Sequence, residues 1–469
     1  MSDLPQNRMS VAVVGGGLAG LSAGAALADA GFKVTLFERR PFVGGRASSY
    51  EHPGTQEVID NCQHVLLGCC TNLLDLYDRY GVRERIRWFD NLTFIEPGGR
   101  CSQLHPSGLP APFHSSLSFL TAPMLSFVDK LAIARVMMLL MGGIPKDTDE
   151  SFLHWLQRHG QTPRAIERFW KTVLVSALNE DLDCISIHYG AQVFRESFLK
   201  SAAAGLMGVP TVPLTELYAA GTDYIALRGG EAKLRSSVEA VIPKNDSVTI
   251  RANGEEQQFE FAILTVPYFS LEKILPASPE AESLRQDAQK FESSPITGIH
   301  LWFDRHITDM PHAVLLARTI QWMFNKSVLQ ERFAEDEQGK GTYLELVVSA
   351  SKSLVHMQRQ EIIDLALKEL TEFFPSVKDA QLIKGTVIKE IHATYSARPL
   401  SDQFRPLATT AWQRVFLAGD WTRTGWPATM EGAVRSGYIA AEALVRSLER
   451  NDKFLKSDLP SQGLMRLFD

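Results

Sequence analysis

No Cys-x-x-Cys pair occurs among the five cysteines, Cys62, Cys69, Cys70, Cys101 and Cys184. That removes zinc-ribbon and thioredoxin chemistry. An odd count with Cys69 and Cys70 adjacent makes a poor disulfide framework, so free thiols in a reducing compartment are expected. Apolar runs fall short of the ~18 residues that a membrane span needs. The nearest, residues 119–141, is interrupted by Asp129, Lys130 and Arg135 and broken early by Pro123. Positive charge is not in excess: 48 Lys and Arg face 54 Asp and Glu, a net charge of −6. No nucleic-acid partner is therefore expected. The opening MSDLPQNRMS has neither the charged nor the apolar region of a secretion signal, and a cytoplasmic protein is expected. Internal repeats and low-complexity tracts are missing too.

What is present is enough chain for two domains. At 469 residues it exceeds one ordinary hydrophobic core. Residues 11–14 form a short apolar β-type run before a glycine-rich turn. Residues 18–30 are rich in Ala and Leu and read as a helix stopped by Gly31. Residues 33–38 (KVTLFE) read as a second strand, completing a β-turn-α-β unit of about 30 residues. The stretch from about 91 to 220 reads as mostly helical and apolar. Strands are expected at 224–227, 238–250, 259–266, 296–303 and 343–348, and an amphipathic helix at 361–373. A strand at 414–417 and a helix at 431–450 close the chain. The ends share a nucleotide-binding character that the middle lacks. The expected fold is α/β: a Rossmann-like domain from residues 1–90, 221–290 and 400–450, interleaved with a substrate domain of mixed sheet and helices from 91–220 and 291–399. Residues 451–469 are expected as a C-terminal tail.

The first motif, Gly15-Gly16-Gly17-Leu18-Ala19-Gly20, fits G-x-G-x-x-G between a strand and a helix. Gly15 permits the tight turn, Gly17 lets backbone approach a pyrophosphate, and Gly20 lets helix and strand pack closely. The helix start at Leu18 and Ala19 offers free N–H groups and the positive end of a dipole to phosphates. Glu38, 18 residues after Gly20, stands where a carboxylate accepts hydrogen bonds from ribose hydroxyls. No second such turn follows, so a separate nicotinamide domain is not expected, and the sequence does not give the electron donor.

From Glu38 the chain runs Arg39-Arg40-Pro41-Phe42-Val43-Gly44-Gly45-Arg46. This resembles the E-x-x-x-x-x-G-G-R stretch of the amine oxidase and phytoene desaturase superfamily of flavoproteins. Leu417-Ala418-Gly419-Asp420-Trp421-Thr422, with 428–433 (ATMEGA), resembles the same superfamily's C-terminal flavin motif. The resemblance implies FAD, an amine oxidase-like fold, and cofactor contacts at Glu38, Arg39, Gly44, Gly45, Arg46, Gly419, Asp420, Met430 and Ala433. It places Val238 at a backbone contact to adenine. No cysteine lies beyond Cys184, so a cysteinyl–flavin bond near the C-terminus is excluded and the FAD is expected to be non-covalent.

Two further stretches narrow the resemblance. Asp60-Asn61-Cys62-Gln63-His64-Val65-Leu66-Leu67-Gly68 is similar to a segment of plant-type phytoene desaturases and of hydroxysqualene dehydroxylases, also called squalene-associated FAD-dependent desaturases. Residues 425–437 (GWPATMEGAVRSG) resemble the dehydroxylase form. Cys62 departs from the glycine common at its position. The implied reaction is reductive removal of the hydroxyl of hydroxysqualene, giving squalene. An allylic alcohol that loses water leaves a delocalised cation, which hydride from reduced flavin quenches. The protein would supply an apolar channel, with Trp170, Trp322, Trp421 and Trp426 as lining residues, and a proton donor. His64 is the first choice for that donor, with Asp60 and Glu431 as alternatives. The opposite direction, desaturation of a polyene, uses the same flavin site and channel. An amine oxidase would want an aromatic cage for which only Trp426 is available. An FAD-bound carrier without turnover would have no use for the 60–68 and 425–437 stretches. The partner is then a long apolar isoprenoid, and residues 119–141 with Lys130 and Arg135 are expected to touch the cytoplasmic face of the inner membrane.

Overall fold

The computed structural model describes residues 8–330 and 341–468. Strand Ser10–Val14, helix Leu18–Asp29 and strand Lys33–Phe37 form the expected opening unit. Its strands are buried on both faces and read as continuous apolar runs, the pattern of a parallel sheet covered by helices. Five parallel strands lie in the order Glu231–Lys233, Lys33–Phe37, Ser10–Val14, Phe261–Leu264, Val415–Leu417. One sheet therefore draws on the start, middle and end of the chain. The opening helix is buried along nearly its whole length, packed on the closing helix Met430–Ser447. Each fully buried Leu or Val there contributes roughly 1.5–3 kcal/mol.

The second half is built on a seven-stranded mixed sheet. Its order is Leu382–Tyr395, Ser293–Phe303, Thr342–Ser349, Trp322–Asn325, His312–Leu315, Leu92–Ile95, Cys101–Leu104. Side chains alternate between faces with period two. Ile299, Leu301, Met323, Leu344 and Leu346 pack under helix Arg359–Phe373. Trp322, Phe324 and Val347 point the other way and pack with Cys62, Val65 and Leu67 of the nucleotide-binding half. Helices between Ser116 and Leu199 build a third layer around Phe152, Phe169, Trp170 and Phe194. Among the described residues no helix is long and apolar enough to cross a membrane.

Several expectations change. Residues 224–227 are not a strand but the last turn of helix Leu214–Ala226, whose Leu214, Leu217, Tyr218 and Ile225 are buried. That helix packs against the opening helix and begins at 214, ahead of the boundary expected at 221. Residues 259–266 are not one strand. Glu260 turns its carboxylate to the Ser10 N–H at 2.8 Å, separating antiparallel Glu255–Phe259 from parallel Phe261–Leu264. Residues 451–468 are no loose tail. Glu442 accepts the Phe454 N–H at 2.8 Å, Arg435 pairs with Asp458 at 2.6 Å, and Leu464 N–H reaches Ala111 O at 2.9 Å. The segment straps the closing helix to the helical layer.

Candidate functional site

The glycine turn is shaped by backbone contacts. Gly15 has φ of +116°, a conformation that side chains rarely adopt, and a Cβ there would lie 2.8 Å from Thr265 Oγ1. A Cβ on Gly20 would sit 1.9 Å from Gly15 O, so helix and strand could not close. Gly17 differs: a Cβ would meet only Gly45 Cα, at an ordinary 3.8 Å. The protein itself does not demand glycine at 17, so the open space suits a ligand. The helix that starts at Leu18 and Ala19 has no side-chain cap and no acid in its first turn. Its N-terminal amides suit an anion.

Glu38 is buried, with Oε2 accepting the Gly16 N–H and Oε1 the Arg40 N–H, each at 2.8 Å. Arg39 is exposed, whereas Arg40 turns in and donates to Gly45 O at 2.9 Å. Arg40 is therefore the arginine the turn employs. Ser236 N–H bonds Glu38 O at 2.8 Å, which brings strand Val238–Pro243 alongside, with Val238 partly buried. Gly44 N–H bonds Gly16 O at 2.8 Å and so lays the Gly44-Gly45-Arg46 segment against the first turn. Arg46 then pairs with Asp420 at 2.5 Å and donates to Ala393 O at 2.9 Å. Gly419 N–H is held by Ser436 Oγ at 2.8 Å. Thr429 caps the closing helix, whose first turn carries Met430 and Ala433. Three distant stretches of sequence thus form one cradle, with two helix N-termini and one paired arginine. These residues fit a dinucleotide.

The candidate proton donors separate. Asp60 is spoken for: it accepts from Ser49 Oγ at 2.6 Å, Leu214 N–H at 3.2 Å and Lys326 Nζ at 2.7 Å. Burial raises its proton affinity, but Lys326 and the hydrogen bonds win and hold it below the usual carboxylate range. Glu431 is also engaged. Its Oε1 accepts Asn72 Nδ2 at 2.8 Å and its Oε2 the Leu73 N–H at 2.8 Å. It caps helix Thr71–Tyr80, whose own N-cap residue Cys70 makes no side-chain cap. Both carboxylates have structural partners and do not face the cradle as free acids.

His64 remains. It is partly buried, and Nδ1 lies 2.8 Å from Cys62 O. A carbonyl only accepts, so Nδ1 carries the hydrogen and Nε2 of the neutral ring is an acceptor. Burial pushes the imidazole below its ordinary value, against the pull of that hydrogen bond. Val65 and Leu67 beside it join the apolar cluster of Phe324 and Val347. Of the tryptophans, Trp322 fits a wall of this site: partly buried, stacked on Phe324 at 5.5 Å, and donating to Ser176 Oγ at 2.7 Å. Trp170 is wholly inside the helical layer, bonded to Gln161 at 2.7 Å, and lines nothing. Trp421 is buried and donates to Val266 O at 3.1 Å. Trp426 packs with Cys69 and Ala204 under the Arg435 guanidinium. Lys326 and Glu345 are absent from the sequence-derived site, because no local pattern marks them.

A family model described as flavin containing amine oxidoreductase matches residues 18–445. A 15-cis-phytoene desaturase of an Oncidium hybrid cultivar is 27% identical over 473 residues, covering 95% of this chain and 79% of that protein. A 15-cis-phytoene desaturase of Synechococcus elongatus is 26% identical over 469 residues, covering 93% and 96%. Among solved structures, an oxidoreductase from Methanosarcina mazei superposes with a TM-score of 0.72 at 16% identity, over 94% of this chain and all of that one. Cyclohexylamine oxidase from Brevibacterium oxydans does so at 0.69 and 16% identity, over 95% of this chain and all of that one.

Proposed function

Because the chain belongs to the flavin-containing amine oxidoreductase family and is an FAD-dependent oxidoreductase, we propose that it removes the hydroxyl of hydroxysqualene reductively, giving squalene. Bound at the cradle, reduced FAD supplies hydride. The rest falls to the protein. The amides at Leu18 and Ala19 and the Arg46–Asp420 pair would hold the diphosphate end, and Glu38 the adenosine ribose. Trp322, Phe324, Val65 and Leu67 offer an apolar wall to the hydrocarbon and keep water from the allylic cation. The observation that carries the reading is His64, an ionisable ring next to Val65 of that wall, on a turn whose Asn61 donates to Arg46 O at 2.7 Å and which feels the Arg46 charge. Protonated, it would hand its proton to the departing hydroxyl. The shallow face of helices Ser116–Thr121 and Phe127–Met141 would take the water-insoluble substrate from the cytoplasmic side of an inner membrane.

A second reading has its own support. Relatives described as 15-cis-phytoene desaturases align with nearly the whole chain. A neutral His64 with Nε2 as acceptor suits proton removal, as its protonated form suits donation. An oxidation with the opposite electron flow, desaturation of a C30 or C40 polyene with hydride passing to oxidised flavin, therefore stands beside the first. Anaerobic incubation separates them: reduced protein with hydroxysqualene, and oxidised protein with phytoene, each followed by product analysis. Squalene in the first arm supports dehydroxylation. New double bonds in the second arm, with no squalene in the first, overturn it.

A further inference from the structure

Only 2% of the Lys326 side chain is exposed, and a buried ammonium must be paired. Lys326 follows strand Trp322–Asn325 directly and opens the short helix Lys326–Leu329. Its Nζ lies 2.7 Å from Asp60 Oδ2, 2.8 Å from Gln63 Oε1 and 3.1 Å from Glu345 Oε2. Asp60 ends strand Glu57–Asp60, Gln63 lies in the turn beyond it that carries His64, and Gln63 Nε2 donates to His64 O at 3.0 Å. Glu345 stands on strand Thr342–Ser349 of the seven-stranded sheet, wholly buried. One cation thus joins the turn to the sheet.

One positive and two negative groups leave an uneven charge in dry surroundings. Asp60 has two further donors and stays ionised. Glu345 has fewer, and burial pushes its carboxyl up to about 7 against the pull of Lys326. Other titratable groups face the cluster. His300 on the neighbouring strand is pushed by burial to about 3 and bonds Tyr343 OH at 2.7 Å. The Cys62 thiol is raised by burial and is neutral at pH 7. Glu345 is the member left to titrate near neutrality, and when ionised it competes with the turn for the ammonium.

We propose that Lys326 is a positioning residue: tied to Asp60 and Gln63 on one side and to Glu345 on the other, it fixes the turn that presents His64, and the charge on Glu345 sets how firmly. This rests on the reading that His64 works at the flavin. The test uses full-length FAD-loaded protein in three forms: wild type, Lys326→Met and Glu345→Gln. Flavin content is expected to be equal in all three. The rate of flavin oxidation or reduction by whichever of hydroxysqualene and phytoene the wild type accepts should fall roughly 10²-fold in Lys326→Met, the cost of misplacing a reacting group by about an ångström. The wild-type rate should bend near pH 7, and Glu345→Gln should lose that bend. A wild-type rate in Lys326→Met, or a retained bend in Glu345→Gln, overturns the proposal. If Lys326→Met fails to hold FAD, the isosteric Glu345→Gln decides alone. If neither substrate is accepted, the functional reading fails but the cluster is still read. Absorbance of the oxidised flavin should then bend near pH 7 in wild type and not in Glu345→Gln, and identical curves overturn the proposal.

Discussion

Gly17 is the residue at which ligand and protein demands come apart. Its neighbours would tolerate a Cβ, so Gly17→Val should fold yet exclude the diphosphate. The flavin-to-protein ratio after purification should drop to near zero, and a wild-type ratio in folded protein would show the cradle to be misplaced. His64 makes the complementary case, since it lies outside the cradle. His64→Ala should keep FAD but slow reoxidation of reduced flavin by hydroxysqualene by roughly 10²–10⁴-fold, the usual worth of general acid catalysis. Reoxidation by oxygen should change far less. Its depressed proton affinity gives a sign as well. The protonated ring is scarce at neutral pH and accumulates as pH falls below its ordinary 6.5, so the wild-type rate should climb on acidification and the alanine variant's should not. Stopped-flow absorbance across pH reads both effects. The glycine turn and Glu38 are legible in the sequence because strand, turn, helix and acid obey local rules within one short unit. Asp60 and Glu431 look equally chemical, but what decides their roles lies 266 and 359 positions away, at Lys326 and Asn72. No local pattern reports a partner at that distance.

At the scale of elements, helix Phe127–Met141 shows why an apolar run alone is ambiguous. Its apolar residues run round the whole helix, and packing separates its faces. Ile133, Val136 and Leu140 are buried, while Phe127, Val128, Leu131, Met138 and Leu139 are exposed at helical spacing. Leu117 and Leu120 of helix Ser116–Thr121 are exposed beside it. Its one acid, Asp129, is buried in the capping box, leaving Lys130 and Arg135 as the charges of this helix that can meet anionic lipid. Met138→Glu with Leu139→Glu should abolish flotation with anionic liposomes while leaving flavin content unchanged. Equal flotation of variant and wild type removes the membrane from the picture. Substituting Leu140 would test only the core. Glu431 belongs at this scale too, as the cap of another helix. Glu431→Ala strands the donors of Asn72 and Leu73, so urea unfolding should show a loss of about 1–3 kcal/mol with the flavin spectrum unchanged. The strand expected at 224–227 fails for the same reason as the helix face: four apolar residues fit the last turn of a helix as well as a strand, and the buried stripe from Leu214 to Ile225 decides.

At the scale of the whole molecule, the Lys326 cluster ties the two-stranded hairpin that ends at Asp60 to the seven-stranded sheet that carries Glu345. Its pH dependence should therefore appear in global stability. Glu345 has a folded value of about 7 against an ordinary 4.5, so the native state binds its proton more tightly than the unfolded chain does. A group raised in this way adds stability in full below about pH 4.5 and loses it as pH rises through about 7. At about 1.4 kcal/mol per unit, the amount at stake is on the order of 3 kcal/mol. Asp60 runs the other way: its depressed value adds stability at neutral pH that is lost only as pH falls below the ordinary carboxylate range. Between pH 5 and 8 Asp60 is ionised in both states and contributes no slope, whereas His300, held at about 3 against an ordinary 6.5, adds stability as pH rises towards 6.5. His300 does so in wild type and Glu345→Gln alike, so the difference between the two isolates Glu345. Glu345→Gln keeps the shape and removes the titration. Urea unfolding of wild type and variant at pH 5, 6, 7 and 8 should therefore show the stability difference moving in the variant's favour as pH rises, and levelling off above about 7. A difference that stays constant from pH 5 to 8 would mean that Glu345 is ionised throughout, and that the cluster holds its two carboxylates charged against a single lysine.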